Sequence, residues 1–145
     1  MKIGAMAWKV IVGLGMAIVF SICVVLAEEP EKAKAALSSA ETWLSLVDEG
    51  KYAESWNEAA SYFKGAVKQE QWQETLKAVR TPLGKVISRG LKSKSYHTSL
   101  PGAPDGEYVV IQFETSFENK KSAIETVTPM MNKDGKWRVS GYFIK

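Results

Sequence analysis

The sequence has few of the residue types that bind metals or form disulfides. It contains one cysteine and one histidine among 145 residues. One cysteine excludes an internal disulfide framework, and one histidine with one cysteine excludes the usual zinc ligand sets. We therefore expect neither a metal nor another cofactor. His97 stands alone near the end of a predicted strand, and nothing around it indicates catalysis.

The chain also lacks the composition of a disordered or fibrous protein. Hydrophobic residues make up 46% of it and charged residues 24%, without an excess of glycine or proline. A chain of this length can bury one core but hardly two. We expect one globular domain over residues 28–145.

Residues 1–27 differ from the rest of the chain. Two lysines precede an uncharged stretch over residues 10–27, which ends in Val25-Leu26-Ala27. A basic start, an apolar stretch and a small-x-small end predict a secretory signal peptide. The 18 residues of the stretch also reach the roughly 17–25 that an uncleaved membrane anchor needs. Cleavage would release the domain into the periplasm or beyond, whereas an uncleaved anchor would hold it on the periplasmic side of the membrane.

Cleavage after Ala27 would change the charge balance. It removes the only cysteine, Cys23, and two of the 19 basic residues, so the formal net charge falls from +3 to +1. Nucleic-acid binding requires a dense basic face, which none of the short basic runs provides. We expect no nucleic-acid partner.

The apolar spacing changes near residue 86. Before it, apolar residues recur three or four apart, and each predicted helix carries one tryptophan that we expect to anchor the core. The predicted helices cover residues 31–47, 52–66 and 68–80. After it, the period is two, and the predicted strands cover residues 86–98, 107–118, 122–131 and 136–144. This order predicts an α+β fold, with the N-terminal helices packed on one face of a four-stranded antiparallel meander sheet.

The last turn, Asn132-Lys133-Asp134-Gly135, predicts the register of the final hairpin. Asparagine first and glycine fourth suit a type I turn closed by a glycine bulge. The expected cross-strand pairs are Met131 with Trp137, Pro129 with Val139, Val127 with Gly141, and Glu125 with Phe143.

Two charged residues lie on the predicted inner face of the sheet, Glu125 and Arg89. The first strand is expected to contribute Ile87 and Leu91 to the same face. Burying an unpaired charge costs several kcal/mol, so each of the two needs a partner, and they lie close enough to pair. One interpretation is a structural ion pair that fixes register. The other is a ligand pocket bounded by Arg89, Glu125, Trp56 and Phe113.

Six sequence blocks occur in this order: Ala40-Glu41-Thr42-Trp43-Leu44, Gly50-Lys51-Tyr52-Ala53-Glu54-Ser55-Trp56, Arg80-Thr81-Pro82-Leu83-Gly84, Phe117-Glu118-Asn119-Lys120-Lys121, Glu125-Thr126-Val127-Thr128 and Asp134-Gly135-Lys136-Trp137-Arg138-Val139-Ser140-Gly141-Tyr142. Together they resemble one family of small exported bacterial proteins, domain of unknown function 4019. The resemblance covers about residues 35–145. It implies a bacterial cell envelope and a cystatin-like or nuclear-transport-factor-2-like cone. It brings no established activity and no catalytic residue.

Three functional hypotheses stay open. The first is a non-enzymatic domain that binds a small ligand or serves as an accessory protein of the envelope. The second is a protein-interaction module that uses a sheet edge, or a basic outer face formed by Lys92, Lys94 and Arg138, to bind an envelope partner. The third is a cone-fold hydrolase or isomerase with Glu125 as its base.

Cleavage of the signal can be tested directly. When the gene is expressed in a bacterial host, we expect N-terminal sequencing of the exported protein to begin at Glu28. Ala27→Leu removes the small residue that signal peptidase requires and should block processing. Recovery of the unaltered protein in the membrane fraction with Met1 still present would show an anchor instead.

Overall fold

The structure, a computed structural model, is described here for residues 29–145. The predicted signal peptide or anchor over residues 1–27 lies outside these residues. Within the described range, no helix combines the length and hydropathy needed to cross a membrane. Ala33–Lys145 form one compact unit.

Four helices precede the sheet: α1 over residues 29–48, α2 Tyr52–Asn57, α3 Ser61–Ala66 and α4 Gln69–Arg80. The single helix predicted over residues 52–66 is wrong, because the chain interrupts it before α3. Ala60 has extended backbone angles (φ −61°, ψ 147°). Its N–H donates to the carbonyl of Val139 at 2.8 Å. A hydrogen bond to the sheet thus replaces a helical one.

The four strands are β1 Val86–His97, β2 Tyr108–Phe117, β3 Lys120–Met131 and β4 Trp137–Ile144. Their order in the sheet is β1-β2-β3-β4, and every neighbouring pair is antiparallel. The predicted α+β class and four-stranded meander are confirmed. The more specific cone fold stays a prediction, since an open meander does not by itself define it.

Two tryptophans anchor the helices in the core. Trp43 of α1 and Trp72 of α4 are 4% and 6% exposed. Both indole N–H groups donate to the buried Ser55, from Trp43 to its carbonyl at 2.8 Å and from Trp72 to its hydroxyl at 3.0 Å. Trp56 of α2 is partly buried against the same core. Ser55 therefore satisfies two indole donors that burial would otherwise leave unpaired.

The inner face of β1 differs from the prediction. Ile87 is 66% exposed and Leu91 is 46% exposed, so their assignment to the core is wrong. β1 is an edge strand whose register with β2 shifts between Val86 and Ser88 and again after Leu91. Ile87 lies in the first shift, and Leu91 lies on the margin of the sheet.

The final hairpin follows the predicted register only near its turn. Met131 opposes Trp137 and Pro129 opposes Val139, as predicted. Farther along, Val127 opposes Tyr142 rather than Gly141, and Glu125 opposes Ile144 rather than Phe143. The register shift between Val127 and Pro129 adds one residue on β4. This extra residue turns Tyr142 toward the inner face.

Candidate functional site

Glu125, in the middle of β3, is completely buried at 0% exposure. Its Oε1 accepts hydrogen bonds from Arg89 Nε at 2.7 Å and from Thr115 Oγ1 at 2.5 Å. Its Oε2 accepts a short hydrogen bond from the Tyr142 hydroxyl. The predicted proximity of Arg89 and Glu125 is therefore confirmed, and the carboxylate has three donors.

Asp48, at the end of α1, connects this carboxylate to the helices. Arg89 donates to it from both terminal nitrogens, at 2.7 and 3.0 Å. Arg80, the last residue of α4, donates to Asp48 Oδ1 at 2.8 Å. We call Asp48, Arg80, Arg89 and Glu125 the ion network, which runs from the buried Glu125 to Asp48, whose side chain is 26% exposed. It links the ends of two helices to strands β1 and β3.

The network balances two basic with two acidic residues. Burial alone would raise the pKa of Asp48, but hydrogen bonds from Arg89 and Arg80 outweigh it and lower that pKa. Burial, followed by the charge of Glu125, raises the pKa of Tyr142. Tyr142 consequently stays protonated and serves as a hydrogen-bond donor.

Arg80 has unused hydrogen-bonding capacity. It is 6% exposed, and its Nε and one terminal nitrogen have no hydrogen-bond partner among residues 29–145. Its guanidinium carbon lies 5.1 Å from the ring centroid of Phe117. This cation–π contact offsets part of the cost of burying the arginine.

The other two predicted pocket residues have different environments. Phe113 is 2% exposed and pairs with Glu125 across the sheet. Trp56 donates from its indole to the carbonyl of Val67 at 2.7 Å, and the Lys64 ammonium lies 5.8 Å from its ring centroid. Since Glu125 and Phe113 present almost no surface to a ligand, the geometry favours the structural ion pair at this position.

A groove that the sequence did not indicate lies between α1 and β4. It has a volume of about 450 Å³. Ser38, Ser39 and Thr42 line its α1 side, and Trp137 and Arg138 line its β4 side. Ser39 Oγ donates to the carbonyl of Trp137 at 2.6 Å, which holds the two sides together.

Arg138 is fixed at the groove by acidic residues. It donates from Nε to Asp134 at 2.8 Å and from a terminal nitrogen to Glu58 at 3.1 Å. Hydrogen bonds from Asn132 and Arg138 lower the pKa of Asp134 to about 2. The predicted basic outer face is wrong, because Arg138 is paired in this way and Lys94 opposes the buried Ile111, on the inner side of the sheet.

The two edges of the sheet are unequal. On β4, the carbonyls of Trp137 and Val139 accept hydrogen bonds from Ser39 Oγ and the Ala60 N–H. On β1, no backbone group of residues 88–95 bonds to any described element except β2. Helical elements thus cover the first residues of β4, whereas residues 88–95 of β1 have no such cover from residues 29–145.

Carboxylates, histidine and cysteine do not cluster into a metal site within residues 29–145, where no group of three or more could hold an ion. What the fold defines is a small α+β domain with an ion network between helices and sheet, a groove beside β4 and an exposed edge strand, β1.

The chain belongs to the family described as Protein of unknown function (DUF4019), whose model matches residues 39–142. The match includes all four residues of the ion network. No curated protein and no solved structure shows a significant match to the chain.

The structural role of Glu125 predicts a large effect on stability. Glu125→Leu leaves the two arginines, Arg80 and Arg89, with the single carboxylate of Asp48 and removes the acceptor of the Thr115 and Tyr142 hydroxyls. Removing one partner of a buried pair costs about 3–5 kcal/mol. Urea unfolding followed by tryptophan fluorescence would measure the free energy of unfolding. Glu114→Leu, on the exposed face of β2, is the matched control, with an expected change within about 0.5 kcal/mol. Equal stabilities of the two variants would contradict the structural role.

Proposed function

We propose that this protein is a non-enzymatic binding domain of the bacterial cell envelope, which holds a small ligand in the groove between α1 and β4. The groove itself is the observation that carries the proposal. Its volume of about 450 Å³ falls within the roughly 300–1,000 Å³ of typical small-molecule sites.

The groove suits a ligand better than the ion network does. Ser38 and Thr42 are exposed along α1, and Trp137 is half-buried on the opposite side. The hydroxyls offer hydrogen bonds, and the indole ring offers an apolar wall. In contrast, the oxygens of Glu125 already accept hydrogen bonds from three side chains of the protein, Arg89, Thr115 and Tyr142.

The envelope location is part of the proposal and is supported by residues 1–27. A signal peptide there would deliver residues 28–145 across the cytoplasmic membrane. The exported part then contains no cysteine. A thiol-free domain suits an oxidising compartment, where exposed thiols react.

An enzymatic role for Glu125 receives less support. A general base must reach the proton that it removes, directly or through one water. Glu125 is 0% exposed, and its two oxygens accept from Arg89, Thr115 and Tyr142. These contacts explain the carboxylate as part of the fold.

The interaction module is the second candidate function, and one observation favours it. β1 is twelve residues long, and within residues 29–145 no helical element bonds to the backbone of its residues 88–95 as α1 and Ala60 bond to the first residues of β4. Exposed sheet edges present unpaired backbone groups that another chain can bond.

The groove can be tested with two matched substitutions on α1. Thr42 and Ser45 each donate to the carbonyl four residues earlier, at 3.0 and 3.1 Å, but only Thr42 lines the groove. We expect a small-molecule fragment library to shift backbone amide resonances of residues 38–46 and 135–139. Thr42→Trp should fill the groove and weaken fragment binding by about tenfold or more, or about 1.4 kcal/mol, whereas Ser45→Trp should not. Fragments that bind elsewhere, or bind both variants equally, would refute the groove.

A further inference from the structure

The unequal edges of the sheet indicate where another chain could be added. α1 and the segment before α3 bond to the outward carbonyls of Trp137 and Val139, which covers the first residues of β4. β1 has twelve residues, and residues 90–95 are all exposed. An uncovered edge of this length is a template for strand addition.

The usable part of β1 is defined by its register. Shifts occur between Val86 and Ser88 and between Leu91 and Ser93. From Ser93 to His97 the strand pairs without interruption with β2. Because bulges bend and twist a strand, this uninterrupted segment is the straightest template on the edge. Leu91, 46% exposed beside it, offers an apolar contact to an added strand.

The charge of the edge selects the chemistry of its partner. The strand contains Arg89, Lys92 and Lys94 but no acidic residue. Arg89 is neutralised by Asp48 and Glu125. Lys92 and Lys94 are exposed, and neither forms an ion pair in the part of the chain that the structure describes.

These two lysines disfavour a second copy of the chain. An antiparallel pair of β1 strands would bring positive charges together, which is destabilising for facing residues. The same charges would attract an acidic strand and orient it on approach. No acidic residue of β2 lies directly opposite Lys94 to neutralise it. Lys94 opposes Ile111, and the acidic Glu114 opposes Gly90.

We propose that the β1 edge binds an extended acidic segment of another protein, which pairs along Ser93–Ser95 as a fifth strand and places its carboxylates near Lys92 and Lys94. This inference rests on the interaction-module candidate and names its partner chemistry. It is independent of the groove beside β4.

The probe is a fluorescein-labelled peptide of about eight residues, a usual strand length, in which pairs of glutamates alternate with pairs of valines, so that both faces of the added strand carry carboxylates. Fluorescence anisotropy with the full exported protein, as the cell processes it, would measure the affinity. We expect Lys92→Glu/Lys94→Glu to weaken binding about tenfold or more. The control Lys120→Glu/Lys121→Glu reverses two exposed lysines at the β2–β3 turn and should leave the affinity within about twofold.

Two modified peptides separate strand pairing from charge attraction. N-methylation of alternate residues on one edge of the peptide should abolish binding, and on the other edge should preserve it, since only one edge faces β1. Equal tolerance of both methylated peptides would overturn strand addition. Equal losses of affinity in Lys92→Glu/Lys94→Glu and Lys120→Glu/Lys121→Glu would also overturn binding at the β1 edge.

A peptide with glutamine in place of glutamate separates two questions. One is whether the edge binds a strand, and the other is whether that strand must be acidic. If it binds as tightly as the acidic peptide, the edge is an interaction site but the acidic class of partner is overturned. If no peptide binds, the interaction module itself is overturned. Tighter binding of the acidic peptide, lost on reversal of Lys92 and Lys94, supports both.

Discussion

A carboxylate that is shielded from water must be compensated from within the protein, and Glu125 imposes that requirement here. It lies in the middle strand pair of an otherwise apolar face, at 0% exposure. Arg89, Thr115 and Tyr142 reach it from three different strands. Because each donor must arrive in position for the charge to be tolerated, the buried carboxylate constrains the register of β1, β2 and β4 at once.

The same constraint extends into the helices and decides which surfaces remain free. Arg89 also binds Asp48 at the end of α1, so the helical layer and the sheet share one set of charges. An aromatic contact also joins the two layers, since the rings of Trp43 and Tyr142 lie 5.4 Å apart in an edge-to-face arrangement. With the centre of the domain occupied in this way, we place binding at its periphery, in the groove beside β4 and along the edge of β1.

The fold class and the Arg89–Glu125 pair could be predicted from the sequence, because apolar periodicity assigns faces and two charges on an apolar face need each other. The role of Asp48 could not be predicted, since an acidic residue that precedes Glu49 and a helix-ending glycine resembles one that is exposed to solvent. The inward position of Tyr142 could not be predicted either, because it depends on the extra residue in β4, which no local sequence pattern indicates. The groove depends on contacts such as Ser39 to Trp137, which join positions 98 residues apart. Local spacing carries no information on such distant contacts.

Charged hydrogen bonds at Asp48 fasten the helices to the sheet. The most direct measurement is the free energy of unfolding of the unaltered protein and of Asp48→Asn between pH 7 and pH 2. Since folding lowers the pKa of Asp48, its contribution is complete above the unfolded value of about 4 and is lost as the pH falls through the folded value. We predict a difference of about 1.5–3 kcal/mol at pH 7 that shrinks steadily below pH about 4. No difference at pH 7, or one that stays constant down to pH 2, would contradict the account.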